Sequence, residues 1–317
     1  MNKINLVVCI TPLQILIARK LTKIFPDQIF YSLCIYYDDN KKYKYYIDLI
    51  KGDVSHASSY YAKSNNKIMR FFDLLAFSQF LNKNKFPDFS NVYIASVDNP
   101  FVQLLISSII FKNIYTFDDG TANLWKNSIY NVPLDKGFVQ KILLKLLGVK
   151  YDIHALKEIS KAHYTLFEDT IFLRDKNVKI DLYDFKDDKY VVDESKNIKI
   201  FLGQPFNDLK YDVFNEGDIK KVLNTLNVKN YFPHPRERVV YNFIDYIDSS
   251  KIFEDYIFDL LAAHYSIEVY TFLSTAALTV ANIEKLKVYA LYNDELYQDF
   301  FELYEIFRKN NIGLIKV

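Results

Sequence analysis

The chain alternates short apolar runs with longer amphipathic stretches from end to end, and this alternation limits the fold more than any other feature. Residues 5–10 and 198–202 are mainly apolar runs of strand length, whereas residues 12–24 and 253–262 have the spacing of amphipathic helices. Strands that are separated by helices form parallel sheets covered by helices on both faces. The pattern therefore predicts an α/β fold.

A change in composition divides this alternation into two halves. Residues 174–196 are rich in Asp and Lys and contain neither Gly nor Pro, and the alternation then restarts. We therefore expect a Rossmann-like domain over residues 1–173, a linker over 174–196 and a second Rossmann-like domain over 197–317, with a cleft between the domains. Because ligands of open α/β sheets lie beyond the carboxyl ends of the strands, the residues that follow each strand are the candidates for chemistry.

Composition argues against several classes of function. The net charge of +1 gives no overall field that would attract nucleic acid. The seven glycines are about a third of the number expected at average usage, which disfavours a glycine-rich phosphate loop. Two cysteines, Cys9 and Cys34, cannot build a disulfide framework or a four-cysteine zinc site. No 18-residue apolar window and no signal-peptide cleavage pattern is present, so we expect a cytoplasmic protein.

An adjacent pair of carboxylates, Asp118 and Asp119, follows the predicted strand over residues 114–117. Such a pair can raise one pKa and yield a base, or it can bind a cation. The same residues are also common at turns and helix starts, where they bind backbone amides. The pair differs from the separated Asp-x-Asp pattern that holds a divalent metal on a nucleotide diphosphate.

Two more segments follow predicted strands of the second half. Gly203 and Gln204 begin a loop that carries Asp208, which is either a general base or a solvated loop residue. His234 lies between two prolines, which fix the backbone on both sides of it. A histidine restrained in this way can give a proton or a charged hydrogen bond to a leaving phosphate.

The last such segment begins with two hydroxyl residues, Ser274 and Thr275, before a predicted short helix over residues 275–280. Hydroxyls and small residues at this position can form a phosphate pocket without glycine. An ordinary helix cap uses the same residue types.

Together these segments resemble bacterial sialyltransferases of glycosyltransferase family 52. The resemblance rests on residues 117–124 (FDDGTANL), 202–205 (LGQP), 233–236 (PHPR) and 270–278 (YTFLSTAAL), and also on residues 5–14, 93–96 and 163–167. It implies a GT-B architecture with two Rossmann-like domains facing across a cleft. It also implies inverting, metal-independent transfer of sialic acid from CMP-sialic acid, without a cofactor, to a galactose-type acceptor on lipooligosaccharide or capsule.

The resemblance also assigns roles to residues. His234 is the phosphate partner and general acid, and the general base falls on Asp208, with Asp212 and Asp218 as alternatives. Donor binding is assigned to Gly203, Gln204, Pro233, Arg236, Glu254, Ser274 and Thr275. A different sialyltransferase family with a comparable fold places its base in an Asp-Asp-Gly motif, so Asp118 and Asp119 stay as alternatives for the base or the acceptor side.

Two other functions stay open from the sequence. One is the same scaffold with another nucleotide-sugar donor, as in a glucosyl-type transferase, and the other is a non-catalytic carbohydrate-binding protein.

The stretch over residues 136–150 adds an expectation about location. It carries four lysines and no acidic residue, with Lys141 and Lys145 on one face and four apolar side chains predicted opposite. Either this helix packs in the core with a solvated basic edge, or it rests on the inner face of the membrane. The expected partners are thus the sugar nucleotide, the glycan acceptor, this membrane surface and a second copy of the chain, with no nucleic acid.

Overall fold

Two separate parallel sheets organise the chain. The computed structural model describes residues 3–63, 67–124, 138–168, 170–183, 193–204, 216–234, 237, 240–283 and 285–317. The chain divides into two units, Met1–Leu182 and Tyr183–Val317, each with one sheet. Every strand pairing within the described residues is parallel, as expected for strands that are connected through helices.

The first unit has a seven-stranded sheet in the order β3-β2-β1-β4-β5-β6-β7. Its elements in chain order are β1 (Ile4–Cys9), α1 (Pro12–Ile24), β2 (Ile29–Tyr36), α2 (Lys41–Asp53), β3 (His56–Tyr61), α3 (Lys67–Lys83), β4 (Phe89–Ile94), α4 (Pro100–Ser108), β5 (Phe111–Phe117), α5 (Phe138–Leu146), α6 (Ile153–Ile159), β6 (Ser160–Thr165) and β7 (Asn177–Lys179). Short 3-10 helices cover Gly120–Leu124 and Arg174–Lys176.

Local sequence explains how this unit begins. β1 is buried over nearly its whole length, which matches its apolar sequence. α1 then starts where the Thr11 hydroxyl accepts a hydrogen bond from the Gln14 amide at 3.3 Å, with Pro12 in the first turn. Three side chains form a ladder across β1, β4 and β5: Asn91 donates to Asn5 at 2.8 Å and Asn113 donates to Asn91 at 3.1 Å. Because each amide needs its neighbour, this ladder favours one strand register over the shifted ones.

The second unit has a six-stranded sheet in the order β10-β9-β8-β11-β12-β13. Its elements are β8 (Asp193–Leu202), α7 (Glu216–Thr225), β9 (Asn230–Phe232), β10 (Asp245–Tyr246), α8 (Phe253–Ala262), β11 (Tyr265–Thr271), α9 (Ala276–Val280), β12 (Leu286–Tyr292), α10 (Asp294–Asp299), α11 (Phe301–Lys309) and β13 (Gly313–Lys316).

Each sheet has one point where the strand order reverses direction. In the first unit it lies between β1 and β4, and in the second unit between β8 and β11. The loops that leave the carboxyl ends of two such strands run to opposite faces, which opens a crevice between them. These two crevices are therefore the places where each unit can hold a ligand.

The segment predicted as a linker, residues 174–196, contributes strands at both of its ends. β7 belongs to the sheet of the first unit, and β8 begins at Asp193 in the second. The boundary between the units falls after Leu182. Tyr183 already belongs to the second unit, where its ring stacks on Phe258 with 4.6 Å between centroids and its hydroxyl donates to Asp255 at 2.6 Å.

The exposed face of α5 differs from the sequence expectation. Leu144 is buried in the core of the first unit, but Ile142 and Leu146 are 44% and 81% exposed, on the same side as the exposed Lys141 and Lys145. The helix packs through Leu144 and its flanking leucines, and this turns the other two apolar residues outward. The solvent face thus combines lysines with apolar side chains. None of the helices in the described parts of the chain has the length and apolarity that a bilayer crossing requires.

Candidate active site

The crevice of the second unit is held together by hydrogen bonds between the ends of β8 and β11. The Gln204 side chain is 5% exposed, and its Oε1 accepts a hydrogen bond from the Leu273 amide at 2.6 Å. The Thr271 hydroxyl donates to the Leu202 carbonyl at 3.0 Å and accepts from the Ser274 amide at 3.2 Å. The two loops that flank the crevice therefore have one fixed arrangement.

Ser274 and Thr275 sit on this fixed loop. Ser274 is buried at 8% exposure, and Thr275 is half-buried and has a helical backbone (φ −75°, ψ −13°). The Thr275 side chain makes no capping hydrogen bond to α9, whose first turn is closed by backbone bonds alone. The ordinary helix-cap role weighed for this position therefore does not apply to Thr275.

The loop after β9 carries Pro233 and His234, both half-buried. Glu237 closes this loop, because its amide donates to the His234 carbonyl at 3.0 Å and its Oε2 accepts from the His234 amide at 3.2 Å. Glu237 also accepts a hydrogen bond from the Tyr231 hydroxyl.

Gly203 lies against the same loop. Its amide donates to the Phe232 carbonyl at 2.9 Å, and a Cβ added to it would lie 2.6 Å from Glu237 Oε2 and 2.7 Å from Tyr231 Cε1. A side chain here would have to displace the buried Tyr231 ring as well as the Glu237 carboxylate. Glycine is thus required here because the chain packs closely against Tyr231 and Glu237, which sharpens the sequence-based reason, a tight exit from the strand.

Glu254 lies in the first turn of α8 and is 4% exposed. Its Oε1 accepts a hydrogen bond from the Thr279 hydroxyl at 2.9 Å, and this bond links α8 to α9. The family resemblance assigns Glu254 to donor binding. In the structure it takes part in packing between α8 and α9.

The crevice of the first unit holds a second polar cluster. The half-buried carboxylate of Asp119 accepts hydrogen bonds from the Gln14 amide group and, at 2.7 Å, from the Ser96 hydroxyl. Gln14 is fully buried, and its Oε1 accepts from the Ile10 amide at 2.6 Å. Ser96 adopts a left-handed backbone with φ 45°, which is uncommon for a residue with a side chain. Asp119 is thus fixed by residues that follow β1 and β4.

Asp118 faces the opposite way, into the core. It is 0% exposed, and its carboxylate accepts from the Thr165 hydroxyl at 3.0 Å, from the Leu166 amide at 2.6 Å and from the Asn123 side chain, with His163 Nε2 at 3.0 Å. Such a saturated buried carboxylate joins β5 to β6. Of the adjacent pair, Asp119 is the member that reaches the surface.

Comparison with known proteins agrees with this geometry. Residues 29–294 match the model of glycosyltransferase family 52. The chain belongs to this family. A CMP-N-acetylneuraminate:beta-galactoside alpha-2,3-sialyltransferase of Pasteurella multocida is 30% identical over 99% of both chains. An N-acetyllactosaminide alpha-2,3-sialyltransferase of Haemophilus influenzae is 30% identical over 90% of both.

The fold also matches that of a glycosyltransferase of different sequence. The crystal structure of the glycotransferase of kitacinnamycin aligns with all of this chain and 87% of its own, with a TM-score of 0.55 at 8% identity. The predicted family and the predicted α/β fold of GT-B type are therefore confirmed.

Several assigned residues of this family 52 protein lie outside the described residues. These are the predicted base Asp208, its alternative Asp212, and Arg236. The other alternative base, Asp218, lies exposed in the first turn of α7, where it lines a cavity of about 490 Å³ between α7 and the end of β13.

Sequence reasoning missed the residues that support the site. Glu237 binds the backbone of His234 through a half-buried carboxylate, whereas Gln14 and Ser96 bind Asp119 through contacts that are distant in sequence. Two signals were available: Gln14 and Ser96 lie in the segments 5–14 and 93–96 that carry the family resemblance, and Glu237 follows the His-Pro-Arg segment directly.

Proposed function

We propose that this protein is an inverting sialyltransferase that moves sialic acid from CMP-sialic acid to a galactose-type acceptor on a bacterial surface glycan. The observation that carries the proposal is the strand order β9-β8-β11. It brings the loops of His234, Gly203 and Ser274 to one edge of the sheet. Neighbouring strands are about 4.8 Å apart, so the outer two loops are about 10 Å apart at strand level and can contact the same ligand.

The chemistry assigns a role to each of these groups. The phosphate of CMP gains negative charge as the glycosidic bond lengthens, and a protonated His234 beside the hydroxyls of Ser274 and Thr275 stabilises that charge where it develops. A carboxylate takes the proton of the acceptor hydroxyl while that oxygen attacks the opposite face of the sugar. We assign this base to Asp208.

Asp119 is the alternative base or an acceptor-binding group. Its fixed position and partial exposure support a contact with sugar hydroxyls. Asp118 is left with a structural role in this proposal, because its carboxylate is fully buried and already accepts several hydrogen bonds.

A donor screen tests the proposal. We expect CMP release and sialic acid transfer to a β-galactoside with CMP-sialic acid, and no turnover of UDP- or ADP-linked sugars. Full activity should persist in excess EDTA, because one phosphate needs no metal clamp and no cofactor takes part. Turnover of a UDP- or ADP-linked sugar would favour the glucosyl-type alternative, binding without turnover would favour the carbohydrate-binding one, and a strict need for Mg²⁺ or Mn²⁺ would contradict the metal-independent mechanism.

We also propose that α5 contacts an anionic membrane on its cytoplasmic side. Lys141 and Lys145 stand beside the exposed Ile142 and Leu146, a mixture that suits the boundary between lipid headgroups and acyl chains. About 1 kcal/mol for each basic residue near an anionic surface gives weak and reversible attachment.

The homodimer stays a prediction, which sedimentation velocity would test.

Sedimentation with liposomes measures this contact. Binding to phosphatidylglycerol vesicles should decrease with added salt and with Lys141→Glu/Lys145→Glu. The control Lys287→Glu/Lys309→Glu changes the net charge equally, at two exposed lysines of the second unit, and should bind like the wild type. Equal losses in both double variants, or no binding at low salt, would refute the contact.

A further inference from the structure

The peptide groups of His234 are bound on both sides by one residue. The Glu237 carboxylate accepts the hydrogen bond of the His234 amide, and the Glu237 amide donates to the His234 carbonyl. This reciprocal arrangement spans three residues and fixes the backbone on which the imidazole is carried. A tight turn alone would need only the second of these bonds.

The neighbouring prolines leave the His234 amide without another backbone donor beside it. Pro233 and Pro235 have no N–H, so the His234 amide is the one backbone donor within residues 233–235. Without an acceptor, the half-buried loop would keep a donor that is poorly satisfied. Glu237 supplies that acceptor through its Oε2, at 3.2 Å from the His234 nitrogen.

The Glu237 carboxylate is itself held in place by Tyr231 on β9. Tyr231 is 0% exposed, its hydroxyl donates to Glu237, and its ring stacks on Phe201 with 5.3 Å between centroids. Gly203 closes the remaining side, since no Cβ fits there. Glu237 therefore connects the His234 loop to the ends of β8 and β9.

Placing a carboxylate in this half-buried position costs desolvation free energy that packing by itself does not require. Burial raises the pKa of the Glu237 carboxyl, and the hydrogen bonds from Tyr231 and from the His234 amide oppose that rise. Glu237 is half-buried, and its hydrogen bonds offset the desolvation cost while they hold the carboxylate between Tyr231 and the His234 amide.

We propose that Glu237 is a positioning residue for the transfer reaction: it fixes the backbone of His234 and thereby limits the positions that the imidazole takes toward the donor phosphate. The inference rests on the role that the proposed function gives to His234. Misplacement of a reacting group by about 1 Å can cost about 10²-fold in rate, so the effect is measurable.

A double-mutant cycle with His234→Ala tests the coupling. Glu237→Leu should lower kcat about 10²-fold with little change in KM for the donor. Glu237→Gln keeps one acceptor oxygen and should lose about tenfold. In the His234→Ala background both changes should cost nothing further, because the ring that they position is absent. The control Glu268→Gln alters another glutamate that accepts a tyrosine hydroxyl, from Tyr270 at 2.7 Å within β11, and should keep wild-type kcat.

Hydrogen exchange of the ligand-free protein tests the same inference without activity. Overlapping peptides that differ by residues 233–235 isolate a single amide, that of His234. The exchange of this amide should become about tenfold faster in Glu237→Gln. If Glu237→Leu fails to fold, Tyr231→Phe takes its place in this measurement and should show the same increase. Unchanged exchange would overturn the inference whatever the substrate. Equal losses of kcat with and without His234 would also overturn it while leaving the proposed function intact, whereas a wild type inactive with CMP-sialic acid would contradict the proposed function alone.

Discussion

His234→Ala is expected to lower kcat for sialic acid transfer by about 10²–10³-fold, the scale for removal of one group that stabilises charge in a transition state. The imidazole meets the phosphate as the glycosidic bond breaks, so the loss should appear in kcat more than in KM. The measurement is steady-state CMP release with saturating acceptor.

The stability of the variant separates this loss from unfolding. His234 is a half-buried loop residue and contributes little to the core, so the melting temperature should stay near that of the wild type. His154→Ala, at an exposed position of α6, serves as the matched control and should keep full activity. Retention of most of the wild-type kcat by His234→Ala would remove His234 from the mechanism.

Asp208→Asn should abolish transfer while CMP still binds. Asparagine has similar size but cannot accept the acceptor proton, and a general base typically contributes about 10²–10⁴-fold. CMP affinity, measured by calorimetry, should be unchanged because a general base acts on the acceptor hydroxyl and not on the nucleotide. Asp212→Asn and Asp218→Asn should remain active if the assignment is right.

The adjacent acidic residues Asp118 and Asp119 of the first unit give the decisive comparison. If Asp119→Asn is inactive and Asp208→Asn is active, the base lies at Asp119 and our assignment is wrong. Asp118→Asn has to be judged differently, because asparagine keeps only one of the two buried acceptor oxygens. Either the Thr165 hydroxyl and the Leu166 amide, which bind the same oxygen, or the Asn123 side chain, which binds the other, then loses its acceptor. We expect it to lower the melting temperature, so its activity is compared per folded molecule.

Much of the strand and helix pattern follows from the sequence. The apolar strand β1 begins and ends within one residue of the prediction. The apolar run over residues 198–202 predicts the end of β8 correctly, but the polar first half of this strand, from Asp193, was not predicted. β3, with the sequence HASSYY and mostly exposed or half-buried residues, was not predicted. An edge strand is paired on one side only and gains its stability from the neighbour, so its own sequence shows little periodicity.

Two helices also differ from expectation. The apolar sequence over residues 101–111 predicts one helix, but α4 ends at Ser108 and Phe111 begins β5. A continuous apolar run fits either element, so periodicity cannot place this boundary. The sequence over residues 295–310 predicts a single closing helix, but the structure divides it into α10 and α11 at Phe300, whose backbone leaves helical geometry.

The candidate site was predictable at the level of loops. Residues after parallel strands were chosen because the carboxyl ends of strands meet at one edge, and the structure places the loops of Gly203, His234 and Ser274 at such an edge. The helix α5 shows the limit of this reasoning. A helical wheel gives the relative angles of Lys141 and Leu146, but the packing of Leu144 decides which arc faces solvent.

The amino-acid sequence was sufficient to predict the α/β class, the family and which residues follow the strand ends, because apolar periodicity and short motifs are local properties. Which of Asp118 and Asp119 is buried depended on the tertiary structure, since adjacent side chains leave a strand end in different directions and the partners of Asp118 lie on β6, more than 40 residues away. The same is true of Glu237. Its role comes from a buried tyrosine below it and a glycine beside it, and these contacts exist only after β8 and β9 have paired.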